Sequence, residues 1–229
     1  MRRVFLSLIV LVLIQTACSW TVSFNPTPQV ITVVVTGNPP TQAPHIPAAT
    51  TATPLPLLPT PTSPPFCEDD RITSLFKLFG KALLVKDGDL LASLVHPENG
   101  LSIFFQREEV EVTLTRAEVR DIFGSSQTKF WGTQPGSGLP QQGTFSDIVL
   151  PKLQDVFQAE YTEHCNVLAT GGTTYSPALP PAFANSQYYS LYRLAPAGMD
   201  MDWRTWVAVI DYYQGKPFIR ALIKYDWEI

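Results

Sequence analysis

A charge-free, proline-laden stretch decides how much of this 229-residue chain is able to fold. Residues 19–66 contain no Asp, Glu, Lys or Arg, and about 12 of the 21 prolines lie there. Pro-Thr alternation at Thr53-Pro54 and Pro59-Thr60-Pro61-Thr62, with Pro64-Pro65 close behind, favours extended polyproline geometry with a solvated backbone. Such a segment builds no core, so it reads as a disordered linker and leaves folding to residues 67–229. That length suits one domain and not two, which disfavours two-lobed solute receptors and most multi-domain enzymes. A domain of about 160 residues buries most of its unfolded surface and needs no metal to hold it together. Fully extended, the linker reaches about 150 Å, and its threonines are potential glycan sites. Val30-Ile31-Thr32-Val33-Val34-Val35 interrupts the pattern. The run reads as an unpaired apolar stretch, with a short strand as the alternative.

The segment before the linker gives the address. Arg2 and Arg3 form a positive start, residues 4–14 are apolar apart from Ser7, and Gln15-Thr16-Ala17 leads into Cys18. About eleven apolar residues span only half a bilayer core, which is too short for a membrane-crossing helix. Residues 1–18 therefore read as a secretory signal peptide. They resemble a bacterial lipoprotein signal, in which the cysteine after a small residue is acylated and becomes the mature N-terminus. Ala17 and Cys18 fit that pattern; Gln15 stands where an aliphatic residue is usual, so ordinary cleavage near Ala17 stays open. Arg2-Arg3-Val4-Phe5-Leu6 resembles the core of a twin-arginine motif without its flanks, and general secretion is the preferred route. The resemblance implies a lipid anchor at Cys18, an extracytoplasmic location at the cell surface or in the periplasm, and the membrane as a partner.

The cysteine count agrees with that address. Of three cysteines, Cys18 is assigned to lipid, which leaves Cys67 and Cys165 as an even pair for a disulfide in an oxidising compartment. Charge says less. The chain carries −4, and losing Arg2 and Arg3 with the leader brings the mature protein to about −6. A surface of that sign repels nucleic acid and anionic headgroups, so nucleic acid is not expected as a partner.

Within the domain, Asp69-Asp70 precede a stripe of Ile72, Leu75, Phe76, Phe79, Ala82 and Leu83 at helical spacing. Lys86-Asp87-Gly88 breaks that helix. Leu90, Leu91, Leu94 and Val95 mark a shorter one that Pro97 ends. Residues 101–105 and 110–114 read as a hairpin around Arg107-Glu108-Glu109. Thr115 and Glu118 form a capping box for a helix through Val119 and Phe123 that Gly124 closes. Lys129-Phe130-Trp131 is a strand and residues 132–143 a loop. Ser146 or Asp147 caps a helix to about Gln158, with Pro151 in its first turn. Residues 161–169 and 187–194 are further strands.

Residues 203–213 and 217–227 flank Gln214-Gly215, a two-residue hairpin turn. Uninterrupted pairing sets Tyr213 opposite Lys216, Ile210 opposite Ile219, Ala208 opposite Ala221 and Trp206 opposite Ile223, an apolar face for the helices. The other face then carries Val207, Val209, Phe218 and Leu222, with Thr205, Asp211, Arg220 and Lys224 among them. A face turned only to water is usually more polar. Asp211, Phe218, Arg220 and Leu222 are accordingly the candidate pocket or partner face. An amphipathic face with scattered hydrophobics is the competing reading.

Two helices, a hairpin, a capped helix and a run of long antiparallel strands together resemble the nuclear transport factor 2-like (cystatin-like α+β) architecture. The resemblance covers about residues 68–229 and rests on element order and the final hairpin. It implies N-terminal helices packed on a curved, mostly antiparallel sheet that encloses a cone-shaped cavity. Members include isomerases, dehydratases and binding modules, so the fold does not decide the function.

Chemical motifs are sparse. There is no H-E-x-x-H, C-x-x-C or G-x-S-x-G, and no phosphate-cradling glycine loop. Glu163, His164 and Cys165 alternate across a strand, which disperses them as metal ligands. His96 sits at a helix C-terminus, where its positive form suits the dipole. Asp211 is the best acid–base candidate, yet pairing with Arg220 would suit a fixed salt bridge better. The aromatics Trp131, Tyr188, Tyr189, Tyr192, Trp203, Trp206, Tyr212, Tyr213, Tyr225 and Trp227 crowd the strands. Packing is their expected use, and sugar stacking the second. The reading is an anchored extracytoplasmic lipoprotein presenting a domain for a small molecule or protein partner, with no catalytic residue, metal or cofactor assigned. The alternative is an extracytoplasmic enzyme with an acid–base residue in the family cavity.

Overall fold

The computed structural model of the chain describes residues 64–106 and 110–228. The expected leader with Cys18, the expected linker through residue 63, the 30–35 run and the expected turn at Arg107-Glu108-Glu109 lie outside the described residues. The domain opens with a single turn, Phe66–Glu68, and helix α1, Asp70–Val85. Asp69 caps α1 by accepting the Arg71 N–H at 3.1 Å, and Ile72, Leu75, Phe76, Phe79, Ala82 and Leu83 are all buried, as their spacing predicts. Lys86 in the left-handed region ends α1, and Asp87 caps α2, Gly88–Leu94, by accepting the Leu90 N–H at 2.9 Å. Gly88 packs directly against the backbone carbonyl of Arg120, where any β-carbon would overlap it.

Strands β1 (Leu101–Phe104) and β2 (Glu111–Leu114) pair antiparallel, and helix α3 (Arg116–Arg120) follows with its Thr115–Glu118 capping box complete. The helix is shorter than expected: it stops at Arg120, and Phe123 lies in the following turn. Strands β3 (Lys129–Thr133) and β4 (Pro140–Gly143) form a hairpin of their own. The segment read as loop therefore contains a strand. Its Pro-Gln-Gln-Gly sequence carries no β-forming residue, and only pairing with β3 makes it one. The next cap also differs from the expectation. Thr144, not Ser146 or Asp147, accepts the Asp147 N–H and donates to the Asp147 carboxylate at 2.7 Å. The helix is broken in two, α4 (Phe145–Ile148) and α5 (Leu150–Phe157), with Pro151 in the first turn of α5, where a missing N–H costs nothing.

Strands β5 (Thr162–Cys165), β6 (Tyr188–Arg193), β7 (Arg204–Tyr213) and β8 (Lys216–Asp226) complete a six-stranded sheet of order β2-β1-β8-β7-β6-β5. Every neighbouring pair is antiparallel except β1 with β8. The domain is thus α+β with a mixed, mostly antiparallel sheet. Strand β5 ends four residues earlier than read, because Asn166 turns with positive φ and its side chain binds the Tyr188 N–H and Gln187. Cys67 and Cys165 are joined as a disulfide, with Cα atoms 5.7 Å apart, tying the domain entrance to β5.

The final hairpin corrects the expected register. Tyr213↔Lys216 and Ile210↔Ile219 pair as predicted, but a bulge follows at Val209/Ile210, and the partners become Val209↔Ala221, Ala208↔Leu222, Val207↔Ile223 and Trp206↔Lys224. One extra residue on β8 reverses which way each later side chain points. Leu222 thereby joins Trp206, Ala208, Ile210 and Ile219 in the helix-side core, while Ala221 and Ile223 move to the opposite face. That opposite face is not open. Phe104, Val207, Val209, Ala221, Ile223 and Tyr225 form a second core with Leu168, Leu179 and Phe183. The segment between β5 and β6 crosses over them, bonded by Ser190 to Val167 O, Thr205 to Ala169 O, Trp203 to Gly172 O and Tyr225 to Ala178 O.

Candidate binding cleft

Of the four residues proposed as a pocket or partner face, Asp211 and Phe218 meet as register partners, whereas Leu222 is turned away from them. Leu222 is buried in the main core. Phe218 packs by its ring edge against His96 and Tyr213. Arg220 lies over the Phe183 ring and donates to Ser102 Oγ at 2.9 Å, and Ser102 donates in turn to Glu111. Asp211 pairs in register with Phe218, and no ion pair joins it to Arg220 among the described residues. The bulge is the reason for Leu222, which straight alternation would have placed on the same surface as the other three.

The histidines serve local structure. The buried His96 accepts the backbone N–H groups of Asn99 (3.0 Å) and Glu98 (3.3 Å) on Nδ1, so that nitrogen carries no proton. His96 thereby holds the turn that follows α2. His164 Nε2 meets Thr162 Oγ1 at 2.8 Å, and Glu163 accepts from Thr73 of α1. Among the described residues no cluster of three His, Cys, Asp or Glu is arranged to hold a metal ion, and no helix is long and apolar enough to cross a membrane. Trp131, Trp203 and Trp206 are fully buried, and their indoles donate to Gly143, Gly172 and Lys152 carbonyls at 2.8–3.0 Å. These rings pack, as strand aromatics usually do.

The unusual group is Lys224. After the bulge its side chain points to the helix side, opposite Trp206 and 4% exposed. Lysine stems normally carry the ammonium out to water; this one ends inside the protein. Its Nζ donates to both oxygens of Asp226 at 2.8 Å and lies 4.9 Å from the Phe105 ring centroid. Burial pushes the ammonium below the ordinary lysine range, against the opposing pull of Asp226. Lys224 lines a cleft of about 270 Å³ together with Phe105, Gln106, Gln141, Lys152 and Glu228. It also lines a smaller hollow of about 140 Å³, toward Tyr175 and Ala178.

Four parts of the chain build the cleft. Strand β8 supplies Lys224 and Asp226, the segment just after β1 supplies Gln106, the β3–β4 hairpin supplies Gln134 and Gln141, and α5 supplies Lys152. Gln106 donates to Gln141 at 3.4 Å across the cleft wall. Alongside, Arg204 bridges Asp155 of α5 and Asp202, which Arg193 also contacts. The helix-bearing face of the sheet is therefore apolar through its centre and charged at this end. Straight alternation puts Lys224 on the opposite, mixed face with Thr205, Asp211 and Arg220; the bulge moves it to the helix side. A charged residue set between the apolar Ile223 and Tyr225 is the local sequence feature that marks it. No protein-family model matches this chain, and no curated protein matches it significantly.

Proposed function

We propose that this chain is an exported lipoprotein, acylated at Cys18, whose linker presents an α+β domain that binds a small polar molecule in the Lys224 cleft. The cleft carries the reading: a buried cation, carboxylates and side-chain amides converge on one concavity beside an aromatic ring. Pockets that combine a few fixed polar groups with a perturbed ionisable side chain are the usual places where proteins bind ligands. The disulfide fits folding in an oxidising compartment. Helices packed on one face of a mixed sheet support a nuclear transport factor 2-like domain, with the cleft at one end of the helix-bearing face.

Nuclear magnetic resonance of the full chain with a library of small polar fragments tests the cleft. Shift changes should centre on the amides of Gln106, Gln134 and Gln141 and on residues 224–228. Changes centred instead on the open hollow beside Leu78, Leu94 and Phe218, or no changes at all, would reject it.

A further inference from the structure

We propose that Lys224 is an amine nucleophile, whose Nζ condenses with the carbonyl carbon of a small aldehyde or ketone held in the cleft to form an imine. This deepens the ligand-binding reading above and rests on it. Three features of the geometry converge. The Lys224 side chain is enclosed, yet the residue lines two hollows, and the larger, about 270 Å³, has room for a ligand of a few carbons. The Phe105 ring 4.9 Å from Nζ and the two hydrogen bonds to Asp226 hold the amine in place instead of letting it swing through solvent. Asp226, 2.8 Å away, is placed to move the protons that the condensation requires. Burial also favours the neutral amine, which is the reactive form.

The step balances without a further reactant. Asp226 accepts a proton from the ammonium, and the freed lone pair of Nζ attacks the carbonyl carbon. A C–N bond forms as the C=O π bond opens, and a proton passes from nitrogen to the carbonyl oxygen to give a hydroxyl. Asp226 returns its proton to that hydroxyl, which leaves as water as the nitrogen lone pair forms C=N, and the last N–H proton passes back to the Asp226 carboxylate. Gln106 and Gln141, on the same wall, are amides able to bind the ligand's oxygens.

Reductive trapping decides the matter. The full chain is incubated with glycolaldehyde or pyruvate and sodium cyanoborohydride, and labelled lysines are identified by peptide mass spectrometry. Lys224 should be labelled at least about tenfold faster than the exposed Lys77 and Lys81 of α1. Lys224→Arg should abolish the fast phase while the slow sites persist. Labelling of Lys224 no faster than Lys77 and Lys81 overturns the proposal. Should Lys224→Arg fail to fold, the rate comparison within the wild-type chain still decides. If the same probes shift cleft resonances without being trapped, the nucleophile falls and the binding cleft stands. If fragments of every kind leave the cleft resonances unmoved, both readings fall.

Discussion

Asp69 holds the entrance of the domain, and replacing it with Asn removes a charge while leaving the helix cap in place. Its carboxylate accepts Arg71 Nε at 2.7 Å, Arg71 Nη2 at 2.6 Å, the Arg71 N–H, and the Tyr212 hydroxyl at 2.6 Å. Arg71 continues to the carbonyl of Gly215, so the start of α1 is clasped to the tip of the last hairpin. The hydrogen bonds from Arg71 dominate and hold the carboxyl at about 2, below its ordinary 3.8. A depression of that size corresponds to about 2.5 kcal/mol of stability. Arg71 is 47% exposed, so solvent screening trims the figure to about 1–2 kcal/mol. Because the folded value lies below the unfolded one, this stability is fully present above about pH 4 and is lost as pH falls through 2. Urea unfolding of the disulfide-intact chain should show Asp69→Asn weaker by that amount at pH 7, and a thermal melt should show a midpoint lower by about 3–6 °C. The difference should nearly close at pH 2. Equal stability at pH 7, or an undiminished gap at pH 2, would refute the electrostatic account. Asn is the informative substitution because it caps helices about as well as Asp.

Other expected outcomes are independent of that clasp. Cys67→Ser with Cys165→Ser opens a loop of 98 residues and should cost up to about 4–5 kcal/mol in chemical denaturation; no change would mean that the bridge constrains nothing. Gly88→Ala forces a β-carbon onto the Arg120 carbonyl, whereas Gly124→Ala meets nothing. Thermal melts should therefore show a large drop for the first and a near-neutral or slightly raised midpoint for the second. Trp206→Phe leaves the Lys152 carbonyl without its indole donor and should cost about 1–3 kcal/mol, read by urea unfolding. Cys18→Ser should release the protein from the membrane fraction; continued retention would defeat the lipid assignment.

Much of the folded domain was legible because its signals are local. The buried stripe of α1, the Thr115–Glu118 capping box and the Gln214-Gly215 turn each depend on neighbours within a few residues, so chain order alone determines them. The disulfide also followed from sequence, by simple counting of cysteines once one was assigned to the leader. Strand β4 did not, since Pro140-Gln141-Gln142-Gly143 becomes a strand only where β3 offers it hydrogen bonds.

The candidate site belongs to tertiary structure, and the bulge in the last hairpin shows why. Ala221-Leu222-Ile223 tolerates either parity, because small and apolar residues suit both faces of a sheet that is covered on both sides. Packing chose the bulged register, which sent Leu222 into the main core and Lys224 in beneath the β3–β4 hairpin and α5. Sequence therefore determined which segments become helices and strands, through periodicity and capping. Which side of β8 a lysine faces was decided only when distant segments closed over it, because a one-residue slip carries no local energetic signature and every consequence is felt across the sheet.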